Sequence, residues 1–111
     1  MTDETITITT KRNGATTLIV LTGELDMHTS GDLSSALDSA LTIARSNSTD
    51  EISIDARGLT FTDSAGLRVL LVARETAEAD GVVLRLTHVS DHLDRLLEMT
   101  GLREILGVPV S

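Results

Sequence analysis

Ile52-Ser53-Ile54-Asp55-Ala56-Arg57-Gly58-Leu59-Thr60-Phe61-Thr62-Asp63-Ser64-Ala65-Gly66-Leu67 changes its hydrophobic period partway along, from that of a strand to that of a helix. Ile52 and Ile54 start a strand that runs down to Asp55, two residues apart and so on one face. Past Asp63, Leu67, Leu70, Leu71 and Ala77 recur at helical spacing, with Arg68, Glu75 and Glu78 toward water and Arg74 and Glu78 a surface pair four residues apart. Ser64 falls where the loop after the strand gives way to the helix. It is expected there as the N-cap, accepting an early helical N–H while its hydroxyl stays exposed at the positive end of the helix dipole. A cap accounts for a serine here but does not require the pattern around it.

Upstream, Ile6 and Ile8 alternate with Thr5, Thr7 and Thr9, and Asn13-Gly14 supplies a two-residue hairpin turn. Leu18-Ile19-Val20-Leu21 is apolar without alternation, which predicts a central strand covered on both faces, ended by a loop at Gly23-Glu24-Leu25-Asp26. Thr29 or Ser30 caps the first helix, whose Leu33, Ala36, Leu37, Ala40, Leu41 and Ala44 share one face, and Ser46 to Asp50 form a polar loop. Downstream, Gly81 ends the second helix and Val82 to Leu86 form a fourth strand. Ser90 and Asp91 then open a short helix through Leu93, Leu96 and Leu97 that Gly101 closes. Leu102 to Val110 read as one more helical turn and a short terminal strand, limited by Pro109.

A hairpin followed by alternating helices and strands defines an α/β fold, a small mixed β-sheet with helices packed on it and its later strands parallel, in a single domain over residues 1–111. Sites in such sheets gather at the carboxyl ends of strands. The loops 23–28 and 57–63 are therefore expected to meet beside Ser64.

Composition narrows the chemistry. Hydrophobic residues at 41% and charged residues at 23% belong to a folded chain, and Phe61 is the single aromatic, so aromatic cages and base-stacking platforms are excluded. A net charge of −8, with Lys11-Arg12 the one adjacent basic pair, argues against nucleic acid. The absence of cysteine excludes disulfides and thiol catalysis. No apolar run is long enough to span a bilayer and no basic-then-apolar signal opens the chain, so the expectation is a cytoplasmic protein without direct membrane insertion.

His88 and His92 straddle a strand end and a helix start, which gives no shared helical face for a metal, and no cofactor is expected. His28 lies beside the acidic loop, where its titration could tune binding. Thr62-Asp63-Ser64-Ala65-Gly66 lacks the leading glycine of a nucleophile elbow, and no histidine is placed by sequence to serve Ser64. A serine hydrolase is therefore not the expectation.

Gly23-Glu24-Leu25-Asp26, Leu59-Thr60-Phe61-Thr62-Asp63-Ser64-Ala65-Gly66-Leu67 and Leu96-Leu97-Glu98-Met99-Thr100-Gly101-Leu102, in this order, resemble the STAS-domain anti-sigma factor antagonists. The resemblance implies a regulatory binding protein of STAS fold, not an enzyme. It implies as partner an anti-sigma factor that is itself a serine kinase. The unmodified antagonist binds it and frees a sigma factor, phosphorylation of the serine matched by Ser64 switches binding off, and a phosphatase would reset it. The partner-binding positions it implies are Gly23, Glu24, Asp26, Thr62, Asp63, Ser64, Ala65 and Gly66.

Ala65 departs from the many members that carry a second serine. Asp26 is expected to be a loop carboxylate with few core contacts. Gly66, costly within a helix, reads either as room for a partner or loop or as tight packing of the helix on the sheet. Thr62 is a second hydroxyl, ranked below Ser64 as a phosphoacceptor. The alternative within the same family is an accessory subunit of a membrane transport complex or a nucleotide- or ligand-binding module.

Overall fold

The alternating and apolar N-terminal segments form a hairpin of β1 (Ile6–Asn13) and β2 (Thr16–Leu25) in the computed structural model, which describes residues 5–46 and 51–106. Gly14 opens the two-residue turn with a left-handed φ of 63°, so the turn centres on Gly14-Ala15, one residue later than the Asn13-Gly14 expectation. Helices and strands then alternate: α1 (Ser30–Ser46), β3 (Glu51–Thr62), α2 (Ser64–Ala79), β4 (Val83–Val89) and α3 (Asp91–Thr100). The sheet runs in the order β1-β2-β3-β4, with β2, β3 and β4 parallel and β1 antiparallel to β2.

Register lines up one aliphatic face. Ile8 opposes Leu21, while Ile19, Ile54 and Leu86 stand in a row across three strands, beside the row of Thr17, Ile52 and Leu84. Against these rows α1 buries Leu33, Leu37 and Leu41, and α2 buries Leu67, Leu70, Ala73 and Ala77, in one continuous core. Cover on both faces of β2 was expected, but it is not what the strand shows. Ile19 and Leu21 are fully buried while Leu18 and Val20 are only half-buried. The cross-strand neighbours of Leu18 on that second face are Lys11 and Ser53, and those of Val20 are Thr9 and Asp55, so this side of the sheet is largely polar. Ser53 donates to Glu51 at 2.9 Å there, and Arg85 reaches the same carboxylate at 3.1 Å.

β3 is longer than its sequence suggests. The stretch 57–62 is not a loop but a bulged continuation of the strand, with register shifts against β2 between Val20 and Thr22 and between Gly23 and Glu24. Asp55 pins the first irregularity by accepting the Arg57 N–H at 3.0 Å and its guanidinium at 2.8 Å. Burial pulls the Asp55 pKa upward. The side-chain and backbone bonds from Arg57, its charge and that of His88 outweigh this and leave the carboxyl below its usual value.

From the end of α2 onward, helix ends follow the sequence closely. Arg74 and Glu78 form the expected pair at 2.6 Å, and Arg45 bonds Asp80 at 2.7 Å, tying the end of α1 to the end of α2. Ser90 caps α3 by accepting Leu93 N–H at 3.2 Å, and Gly101 closes it. The next residues make one turn, after which the Leu106 carbonyl accepts the Leu86 N–H at 2.9 Å along the outer edge of β4. The expected terminal strand and most of the 46–50 loop lie outside the described residues.

Candidate functional site

Asp63, not Ser64, caps α2. Its backbone is extended, Oδ1 accepts the Gly66 N–H at 2.9 Å, and Oδ2 accepts the Met27 N–H at 3.1 Å. Aspartate and serine cap helices about equally well, but only the carboxylate has two oxygens with which to hold the helix and a loop together. The Asp63 N–H also donates to the Leu25 carbonyl at 3.1 Å, so the end of β2, the following turn and the start of α2 form one unit. Ser64 is thereby moved to the first helical position. It is exposed, and no hydrogen bond engages its hydroxyl among the described residues.

The turn after β2 is built by Asp26, which the structure places inside it and not on a loose loop. Asp26 is 6% exposed, and its Oδ1 accepts the N–H groups of His28 and Thr29 at 2.9 and 3.1 Å. Thr29 faces back into the turn and does not cap α1 with its side chain. Its hydroxyl donates to the Glu24 carbonyl at 2.8 Å and accepts the Asp26 N–H at 3.0 Å. The product is a rigid turn that pushes Met27 outward, 70% exposed, beside the first turn of α2. Asp26→Ala is expected to cost about 2 kcal/mol of stability because it strips backbone donors of their acceptor, with Asp26→Asn milder. Chemical denaturation of the two variants measures this.

Several other expected contact residues shape the surface without facing outward. Gly66 is buried, and a Cβ there would lie 2.5 Å from Leu25 Cγ and 2.7 Å from the Leu25 carbonyl oxygen. Of its two readings, tight packing of the helix on the sheet is therefore the one observed. Gly23 lies within β2 at a φ of +111°, where a Cβ would sit 2.4 Å from the Thr5 carbonyl oxygen. Thr62 is 3% exposed and its hydroxyl is buried, which removes it as a surface contact and as a second phosphoacceptor. Glu24 and Ala65 are half-buried.

His92 reaches this region from α3. Its Nε2 accepts the Thr62 N–H at 3.1 Å, and its ring stacks on Phe61 at 5.6 Å between centroids. Nε2 is thus committed to the β3 backbone, and no histidine bonds Ser64 among the described residues. His88 stands apart on β4, and no cluster of three metal-ligating side chains occurs among the described residues.

What faces outward is a shallow depression lined by Ser64, Ala65, Leu67, Arg68 and Leu71, with Met27 close by. Met27 and Arg68 were passed over as site residues from sequence. The one available signal for Met27 was a large apolar side chain between Asp26 and His28.

A four-stranded mixed sheet, with an acid-capped helix starting beside the turn after its second strand, is the architecture of a STAS domain. The family described as "Mlab, STAS domain" matches residues 8–107, and the chain belongs to that family. Its relatives carry a more particular name. The anti-sigma-B factor antagonist of Staphylococcus aureus (strain NCTC 8325 / PS 47) is 30% identical over 86 residues, 78% of this chain and 76% of that protein. An anti-sigma factor antagonist from Mycobacterium paratuberculosis superposes with a TM-score of 0.85 at 19% identity, covering 99% of this chain and 90% of that one. SpoIIAA, an anti-sigma factor antagonist, superposes in its unphosphorylated form at 0.75 and in its phosphorylated form at 0.69. Both are 21% identical over 95% of this chain, and cover 90% and 93% of SpoIIAA. At these identities the structural likeness speaks for the fold alone. Among the described residues, no helix is long and apolar enough to cross a membrane.

Proposed function

We propose that this protein is a phosphorylation-switched anti-sigma factor antagonist. Its partner is an anti-sigma factor with serine kinase activity, which it binds through the surface around Ser64, so that a sigma factor is released. The observation that carries the proposal is the exposed, unengaged Ser64 hydroxyl at the first position of α2, beside a Met27 turn that Asp63 holds in place. The relatives named as antagonists, and a fold neighbour solved with and without phosphate, support it. In the kinase step the Ser64 oxygen bonds to the γ-phosphorus of ATP as the bond to ADP breaks, and the hydroxyl proton passes to a base on the kinase. A helix N-terminus tolerates the resulting dianion, so the fold survives while the interface does not. A phosphatase that removes the phosphate completes the cycle.

The test is incubation with ATP and the anti-sigma kinases of the same organism, followed by intact-mass spectrometry and peptide mapping. One phosphate, on the peptide containing Ser64 and from one kinase, is expected. No modification and no complex with any of them would overturn the proposal.

A further inference from the structure

Arg68 follows Ser64 by four residues on α2, and the two line the same depression with Ala65, Leu67 and Leu71. Most other arginines of the described residues hold carboxylates, among them Arg45 with Asp80 at 2.7 Å, Arg57 with Asp55 at 2.8 Å, and Arg85 with Glu51 and Arg103 with Asp94 at 3.1 Å, whereas Arg95 on α3 holds none. Among the described residues Arg68 forms no such pair, although Asp38 lines the adjoining α1–α2 groove with it. It is also, among the described residues, the one cation lining the depression, in a chain of net charge −8.

Resting on the function proposed for Ser64, we infer that Arg68 is the built-in counter-ion of phosphorylated Ser64. Its guanidinium closes on the phosphate and holds it over Ala65. Residues four apart on a helix are neighbours, and an acid placed N-terminal to a base is the favoured order. Helical side chains lean toward the N-terminus, which carries the Arg68 guanidinium back over the turn that holds Ser64. Guanidinium and phosphate oxygens pair through two parallel hydrogen bonds. Asp63, the cap of the same helix, is already committed, because both its carboxylate oxygens accept backbone N–H groups, from Gly66 and Met27. The same helix already carries a bridge at this spacing, Arg74 to Glu78 at 2.6 Å.

Phosphorylation then alters the surface twice. It adds a dianion, and it withdraws the Arg68 cation of the depression from any partner.

The test installs phosphoserine at position 64 during translation, so that no kinase is needed, and titrates it by phosphorus NMR. The apparent second pKa of the phosphate, ordinarily about 6, is expected to lie about half a unit or more lower in the otherwise wild-type chain than with Arg68→Gln. Arg68→Lys should fall between, and added salt should narrow the gap. Arg68→Gln in the unphosphorylated protein should melt with the wild type, which separates the effect from a change in fold. Identical titrations with and without Arg68 would overturn the clamp whether or not a kinase modifies Ser64. A clear shift, with no kinase acting on Ser64, would instead overturn only the proposed function.

Discussion

Ser64→Asp is expected to bind the proposed partner, an anti-sigma kinase, about a hundredfold more weakly than the wild type, roughly 2.7 kcal/mol, with no loss of thermal stability. Ser64→Ala should bind like the wild type and accept no phosphate. The asymmetry comes from where Ser64 stands. A carboxylate at the first helical position meets unpaired N–H groups and the positive end of the dipole, so the fold gains slightly or is indifferent. A partner docking there must desolvate that charge beside Asp63, which is already committed to Gly66 and Met27 and cannot move away. Titration calorimetry with both variants, paired with melting curves, reads the two quantities separately. Equal affinities would show that the hydroxyl is not part of the interface.

Gly66→Ala is expected to destabilise the protein by about 2 kcal/mol, although alanine is the better helix former by roughly 1 kcal/mol. The new methyl would sit 2.5 Å from Leu25 Cγ and 2.7 Å from a backbone oxygen. Leu25 is fully buried and its carbonyl is held by the Asp63 N–H, so neither atom can yield without moving the cap. A chain of this size should melt about 8 °C lower. Partner binding should weaken too, because α2 would lift from the end of β2. An increase in stability, as propensity alone would give, would contradict this account.

The switch from strand period to helix period placed Ser64 within one residue of its true position. The remaining error was inherent, since Asp63-Ser64 offers two equally competent caps and only the Met27 N–H selects between them. Asp26 misled for a related reason. A carboxylate in an acidic turn looks solvated in sequence, and its burial depends on backbone donors two and three residues on. The β3 extension was hidden because its irregular register breaks the period of two on which strand recognition rests. Leu18 and Val20 were misread as covered because an aliphatic run does not reveal that its cross-strand neighbours are polar. Gly66 was legible as a question, and the position of Leu25 answers it.

The bond from Leu86 N–H to the Leu106 carbonyl also covers part of an outer strand edge. An exposed strand edge is an invitation to growth, since any extended chain can add to it and propagate the sheet from molecule to molecule. On the β4 side the protein blunts that template with its own backbone. On the β1 side, Lys11 and Arg12 put charged side chains on the outer strand. Each edge of the sheet thus carries a feature that discourages an added strand.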